Sequence, residues 1–426
     1  MELHFFAKCD IIICNFYKER FFDMIDIALL GFGNIGGGTA EVITENRELI
    51  EKQLGTALNI KYILDLRDFP ESPFGHLVVH SYDVILNDPD VKIVVEMMGG
   101  SHPAYEYTKA ALLAGKSVVS SNKECVANFG AELLAIAAEK GCRYLFEASV
   151  GGGIPVIRPM MVDLAPVHIK SVSAILNGTT NYILTKMANE GLAFADVLAD
   201  AQKKGYAEAN PAADVEGLDA ARKIVILAAL ASGVILNADE ISREGITKIT
   251  DTDMKTAESF GYTIKLIGRF EKTEDGKILC MVSPRFVSKS NPLYTVSDVF
   301  NGILVDSDML GEVMFYGKGA GKLPTAGAVV SDILDAAASP DRVSTMQWRL
   351  ANGDDIADVE SYSCGRAFSF EGNDGDLDEI KRIFNPTSCL VENGKISIIT
   401  DAMTERSVAD ALSSCSLKLI SKFRTL

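Results

Sequence analysis

A short apolar run, Ile25-Asp26-Ile27-Ala28-Leu29-Leu30, feeds directly into Gly31-Phe32-Gly33-Asn34-Ile35-Gly36-Gly37-Gly38, and a long helical pattern follows from Thr39. Strand, G-x-G-x-x-G and helix in that order open a parallel βαβ sheet and suit a dinucleotide pyrophosphate. Gly31 permits the tight turn, Gly33 lets a phosphate approach the backbone, and Gly36 lets the helix pack on the strand. The helix start, through Asn34 and Ile35, turns its N–H groups toward the anion. Glycine turns also close ordinary strand–helix units; its place at the head of a βαβ series singles this one out. The next strand, residues 60–65, ends in Asp65, where a ribose 2′-hydroxyl could be held. Asp65 lies farther on than the usual spacing of about 20 residues, which a longer first helix would explain. Arg67 could instead serve a 2′-phosphate, so NAD and NADP both stay open. Strands at 91–96, 117–120 and 143–147 alternate with helices, one of them at 104–114. That alternation gives an open, doubly wound parallel sheet.

A second feature is the acid-rich stretch Gly205-Tyr206-Ala207-Glu208-Ala209-Asn210-Pro211-Ala212-Ala213-Asp214-Val215-Glu216-Gly217-Leu218-Asp219-Ala220-Ala221-Arg222-Lys223. It precedes Ile224-Val225-Ile226-Leu227-Ala228-Ala229-Leu230, a run too apolar for an exposed helix. Asp219 and Lys223 are four apart and share a helical face. On an exposed helix they would be an ordinary surface ion pair. At the mouth of a buried helix, charges are costly unless paired or used, and such groups cluster at functional sites.

The chain has 426 residues, room for two or three domains. Its net charge of −17 argues against a nucleic-acid or anionic-membrane partner. No apolar run reaches the roughly 18 residues of a membrane span. Eight cysteines without a C-x-x-C pair fit free thiols in a reducing cytoplasm; Cys125 and Cys142 read as core residues. Residues 1–23 show no signal-peptide pattern. A domain beginning at Met24 has every element it needs, so this extension reads as adding no chemistry.

Ligands of such sheets bind at the carboxyl ends of the strands. Three polar clusters fall there: Gly99-Gly100-Ser101, Ser121-Asn122-Lys123-Glu124, and Glu147-Ala148-Ser149-Val150-Gly151-Gly152-Gly153. Asn122-Lys123 also reads as a helix N-cap followed by a solvated lysine, but Lys223 as a second candidate lysine favours a site. The third cluster reads, on its residues alone, as a strand-exit turn.

With these motifs in place, residues 24–345 resemble the homoserine dehydrogenase family. The resemblance rests on Gly31 to Gly36, Val95-Glu96-Met97-Met98-Gly99-Gly100, Asn122-Lys123, and Glu147 to Gly153 with Ile154-Pro155. It extends through Ile175-Leu176-Asn177-Gly178-Thr179-Thr180-Asn181-Tyr182-Ile183-Leu184, the acid-rich stretch, and Gly319-Ala320-Gly321 with Pro324-Thr325. The resemblance implies NAD(P)-dependent interconversion of L-homoserine and L-aspartate 4-semialdehyde, a step toward threonine, isoleucine and methionine. It implies that Glu208 and Asp219, with Asp214 close by, bind the substrate's polar groups. Lys223 would be the proton donor or acceptor, and Lys123 would lie beside the nicotinamide and the reacting oxygen. Gly205 and Gly321 would touch the cofactor. Glu147 with the carbonyls of Val150, Gly152 and Ile154 would hold a monovalent cation, typically sodium. The chemistry agrees: a carbinol gives up hydride only as its hydroxyl loses a proton. A lysine set near another cation, as Lys223 near Lys123, can serve that step.

The expected architecture is α/β. A Rossmann-type domain spans 24–150 and is completed by about 319–345, with the 319–337 segment helical after Pro324. An α+β substrate and dimerisation domain spans 151–318, with strands near 169–176, 261–270 and 278–287; residues 316–321 read as a hinge. The family relation implies a homodimer or dimer of dimers. The tail at 359–426 reads strand (361–370), helix (377–384), two strands around Glu392-Asn393-Gly394-Lys395, helix (405–414), strand (417–423). That order is a ferredoxin-like, ACT-like βαββαβ unit. The tail has no clear Pro-Gly effector loop, so threonine feedback does not follow from it. Many family members carry Arg-Asp after the second strand; here Leu64 precedes Asp65, and Arg67 is the available substitute. Two other classes remain: a nicotinamide enzyme for another amino-acid-like aldehyde, which would lack Glu208, Asp219 and Lys223 together, and a non-catalytic sensor, which would lack Lys123 or Lys223.

Overall fold

Six parallel strands form the first sheet: β1 (Ile25–Leu30), β2 (Leu58–Leu64), β3 (Val78–Val79), β4 (Val91–Glu96), β5 (Ser117–Ser120) and β6 (Tyr144–Leu145). Their order is β3-β2-β1-β4-β5-β6, and every pairing is parallel. The chain leaves β1 toward β2 and returns to β4 on the other side, so the order reverses at the β1–β4 boundary. Sheets of this kind open a crevice there, at the carboxyl ends of the strands. Ile27 to Leu30 and Val94 to Val95 are fully buried, as strands covered on both faces require. The structure, a computed structural model, describes residues 24–342 and 345–426, so the extension at 1–23 lies outside it. The chain divides into two compact units. The first runs through Asn122 and adds Leu133–Phe146 and Ala326–Thr345; the second holds Lys123–Glu132, Glu147–Thr325 and Met346–Leu426.

The first helix begins at Asn34, five residues before the expected Thr39, and ends at Glu45. Gly36 explains the early start: a β-carbon there would stand 2.1 Å from the Gly31 carbonyl oxygen. The turn closes only on glycine, and the glycine run itself is helical. A second helix, Arg47–Leu54, follows and ends on Gly55 in the left-handed region. Two helices, not one long one, account for the wide spacing to Asp65. The strand expected at 143–147 is reduced to β6, and residues 147–149 form a single 3-10 turn. The two-residue β3 was too short to be read from the sequence.

The second unit is organised by a larger mixed sheet. From one edge its strands are Gly311–Lys318, Phe300–Ser307, Ile169–Ile175, Tyr262–Lys272, Ile278–Ser288, Leu419–Thr425, Ser363–Glu371, Lys395–Thr404 and Ser388–Glu392. The hairpin of Phe300–Ser307 and Gly311–Lys318 goes beyond the expected strands; of the region read as a hinge, residues 316–318 end its outer strand and 319–321 lead to the helix at Lys322. Helix Leu218–Ser232 packs on the sheet where Gly268 leaves room for Ile224. Ile224, Val225, Ile226 and Leu227 are fully buried, each contributing about 1.5–3 kcal/mol. That sum is large enough to seat charges at the helix mouth. Helix Lys322–Ala338 starts two residues before Pro324, which is tolerated in a first turn because its missing N–H would have no partner there.

The tail forms strand, helix (Leu377–Phe384), two strands, helix (Glu405–Ser414) and strand. The sheet order of these four strands is fourth, first, third, second, the ferredoxin-like arrangement. Phe368, Phe370, Ile380, Phe384 and Ile396 fill its core. Arg424 and Thr425 pair with Arg285 and Phe286, which makes the tail continuous with the larger sheet. Among the described residues no helix is long and apolar enough to cross a membrane.

Gly36→Ala should destabilise the first unit by about 1–3 kcal/mol through overpacking. Gly33→Ala, with nothing within 4 Å of its added carbon, should melt like the wild type. A calorimetric comparison of the two variants checks this, and equal melting temperatures would contradict the reading of the turn.

Candidate active site

The second unit gathers four charged groups around one amide. Asp219 lies in the first turn of helix Leu218–Ser232, entered through Gly217 in the left-handed region. There the helix dipole favours its negative charge. Lys223, one turn on, places Nζ 2.9 Å from Asp219 Oδ2. Lys123, the first residue of helix Lys123–Lys140, places Nζ 3.0 Å from Asp219 Oδ1. One carboxylate thus carries an ammonium on each oxygen. The sequence suggests Lys123 as a cation neighbouring Lys223; in the structure Asp219 lies between the two ammonium groups.

Asn177 completes the cluster, a role that its place in the 175–184 motif does not reveal. It caps helix Gly178–Glu190, its side-chain oxygen accepting from Thr180 N at 2.9 Å. That bond fixes the orientation of the amide, so Nδ2 donates to Asp214 Oδ1 (2.7 Å) and Asp219 Oδ2 (2.9 Å). An asparagine just before a helical pattern is an N-cap signal, so the residue was visible although its second duty was not. Lys223 Nζ also donates to the Leu176 carbonyl (2.8 Å), at the end of the strand before Asn177. An ammonium has three donors; with two used, the third is engaged by no described residue. Glu124 and Arg222 form a second bridge, 2.5 Å long, between the same two helices.

The electrostatics follow from burial and pairing. Burial pushes the Asp219 carboxyl up, but Lys223 and Lys123 more than reverse that and hold it well below the carboxylate range. Asp219 attracts the Lys123 ammonium and raises its pKa, against the opposing effect of burial. The Asp214 carboxyl is raised, first by burial and then by repulsion from Asp219, with Asn177 easing the shift. Glu208 is exposed, and its carboxylate has no bonded partner among the described residues. Its stretch is tied down by Thr179, whose hydroxyl donates to the Tyr206 carbonyl at 2.6 Å.

In the first unit, a cleft of about 490 Å³ opens at the carboxyl ends of β1, β2 and β4, lined by Gly31, Gly33, Asp65, Arg67, His80 and Gly99. Asp65 accepts from Phe32 N (2.9 Å) and Arg67 N (3.0 Å), and the Arg67 guanidinium grips both its oxygens at 3.0 and 3.1 Å. Arg67, hydrogen-bonded to it, brings the Asp65 carboxyl down to about 2. His80, unnoticed in the sequence, bonds to the Asp65 carbonyl (2.8 Å) and to Asp68 (3.1 Å). Asn34 and Ile35 open the helix behind the turn. Of the other cofactor candidates, Lys123, Gly205 and Gly321 belong to the second unit.

Glu147 is buried, and its carboxylate accepts the N–H groups of Val156 (2.6 Å), Ile157 (2.8 Å) and Arg158 (2.7 Å). It therefore caps helix Ile157–Val162, a duty the sequence did not reveal. Val150, Gly152 and Ile154 are buried in the adjoining turn, where Gly152 is in the left-handed region.

A family profile described as "Homoserine dehydrogenase" matches residues 155–334, and one described as "Homoserine dehydrogenase, NAD binding domain" matches residues 31–147. The chain is 43% identical to a homoserine dehydrogenase of Neisseria gonorrhoeae over 316 residues, 74% of this chain and 72% of that one. The chain belongs to the homoserine dehydrogenase family. The Bacillus subtilis homoserine dehydrogenase is likewise 43% identical, over 73% of this chain and 72% of its own. The crystal structure of a homoserine dehydrogenase from Thiobacillus denitrificans superposes with a TM-score of 0.85 at 33% identity, covering 95% of this chain and 98% of that one. A hyperthermophilic archaeal homoserine dehydrogenase in complex with NADPH matches with a TM-score of 0.63 at 31% identity, over 74% and 97% of the two chains.

Asn177→Ala should leave two carboxylates short of a donor, at about 1–3 kcal/mol. Homoserine dehydrogenase kcat/KM should fall by about 10- to 100-fold. Steady-state kinetics with a circular-dichroism control tests this, and an unchanged kcat/KM would remove Asn177 from the site.

Proposed function

We propose that this protein interconverts L-homoserine and L-aspartate 4-semialdehyde, with Lys223 moving the proton and the Asp214–Asp219–Glu208 group holding the substrate. The observation that carries the reading is the single carboxylate, Asp219, gripping both lysines. A nicotinamide dinucleotide, when bound, supplies or accepts the hydride. In the reducing direction the Lys223 ammonium gives its third proton to the carbonyl oxygen as the carbon gains hydride, and solvent then reprotonates the amine. In the oxidising direction the neutral amine takes the hydroxyl proton. Asp219 and the Leu176 carbonyl fix Nζ against rotation, and Lys123 stabilises negative charge on the reacting oxygen. Asp214 and Glu208 hold the amino group of the zwitterion; among the described residues the Asp214 carboxylate accepts one hydrogen bond and that of Glu208 none, so both retain acceptor capacity.

The cleft suits either dinucleotide. Asp65 can accept from a ribose 2′-hydroxyl, and Arg67, largely exposed, bonded to Asp65 and lying over the Phe69 ring, can turn its guanidinium to a 2′-phosphate. The NADPH complex of the archaeal relative supports the second use. For a monovalent cation, no hydrogen bond among the described residues ends on the buried carbonyls of Val150, Gly152 or Ile154. Carbonyl oxygens with no such bond, in the turn that follows a buried acid, are the donor type a hard cation takes, and we infer that sodium is held there with Glu147.

Homoserine oxidation by the purified protein, with NAD and NADP in parallel, tests the reading; no turnover with either cofactor sinks it. Lys223→Ala should lose about 10²- to 10⁴-fold in kcat, and an unchanged saturated rate would end its proton-transfer role. Arg67→Ala should lower kcat/KM with NADP at least about tenfold while sparing NAD. Because Asp214 is raised, it takes a proton at higher pH than an ordinary carboxyl and loses its hold on an ammonium. KM for homoserine should therefore rise as pH falls, and Asp214→Asn should flatten that rise. A KM equally pH-dependent in the variant would assign the titration elsewhere.

A further inference from the structure

Glu96 is the last residue of β4 and has no exposed surface. Its carboxylate accepts the Met98 N–H (2.8 Å), the Ser120 hydroxyl (2.6 Å) and the Asn122 side-chain amide (3.3 Å). The same Asn122 amide reaches the Gly100 carbonyl at 2.7 Å, and the Asn122 backbone N–H donates to Ser120 Oγ at 3.0 Å. No cationic side chain among the described residues is bonded to Glu96, and burial raises its carboxyl above the usual range. A buried acid without a counter-charge is a costly way to fill space, and an apolar residue would be easier to bury. What the acid achieves is a junction. It pins the turn at 98–100, whose Met98 and Gly99 line the cofactor cleft, to the carboxyl end of β5 and to the residue just before Lys123.

Asp65 marks the adenosine side of the cleft, at the end of β2. In a sheet whose order reverses between β1 and β4, the other half of a dinucleotide runs toward β4 and β5. We propose that Glu96 is a positioning residue of this site, acting through the 98–100 turn and Asn122 to seat the nicotinamide half of the cofactor and leaving the adenosine half to β1 and β2. The inference rests on the dinucleotide reading above.

ADP-ribose, which lacks the nicotinamide ring, separates the two halves. In titrations of the full chain, Glu96→Ala should bind NADPH about tenfold more weakly or worse, the effect of one lost buried acceptor, and bind ADP-ribose within about twofold of wild type. Its kcat should fall, while KM for homoserine changes little. Glu96→Gln should recover most of the loss, because its amide oxygen still accepts from Met98 and its nitrogen can donate to Ser120. Unchanged NADPH affinity in Glu96→Ala, or an equal loss of NADPH and ADP-ribose, overturns the proposal. If Glu96→Ala does not fold, Asn122→Ala carries the test, and its failure to weaken NADPH selectively also overturns the proposal. Because binding is read without turnover, an inactive wild type that still binds NADPH would fault the substrate reading alone.

Discussion

One carboxylate shared by two ammonium groups is the interaction on which the rest of this chain depends. Asp219 is nearly buried, and an isolated charge there would cost several kcal/mol after relaxation. The cost is met locally: Lys123 on one oxygen, Lys223 and the Asn177 amide on the other. The apolar burial of helix Leu218–Ser232 anchors the acid from behind. Asn177 is held in turn by the helix it caps, so the positions of three elements converge on one oxygen pair. With Asp214 added, two positive and two negative groups lie together.

The first unit solves a different problem with less charge. Its turn depends on absent atoms, since Gly36 admits the Gly31 carbonyl where a side chain would clash. Beyond the turn, Asp65 is engaged by two backbone N–H groups and a guanidinium. That pairing leaves a neutralised acid and an exposed arginine, an arrangement able to meet either a hydroxyl or a phosphate. Glu96 ties the opposite side of the cleft with neutral donors only. Both units therefore place a buried or half-buried acid at a strand or helix end and satisfy it with directional donors.

Much of this was legible in the sequence, for identifiable reasons. The glycine fingerprint showed because close backbone approach excludes other residues. The buried helix showed because Ile224 to Leu230 is apolar on every face, and the tail because its strands and helices alternate with clear turn residues. The hairpin around residues 300–318 was missed because glycine in a strand reads as a break. Gly302 is there for packing: a β-carbon would stand 2.9 Å from the Val296 side chain and 3.0 Å from Met314. Asn177 as a bridge and Glu124 with Arg222 depend on contacts between residues far apart in sequence, and Glu147 caps a helix from beyond the reach of a local capping signal, so no local pattern encodes them. The acids and lysines of the site could be named; the order in which they pair could not.

The Asp219–Lys223 ion pair makes the two side chains one unit. A double-mutant cycle on kcat/KM for homoserine, with Asp219→Ala, Lys223→Ala and the double variant, measures it directly. The structure predicts strong coupling, with the double variant losing clearly less than the sum of the two single losses, because Lys223 without Asp219 loses the partner that fixes Nζ. Losses that simply add, to within about 0.5 kcal/mol, would show that the two side chains act independently.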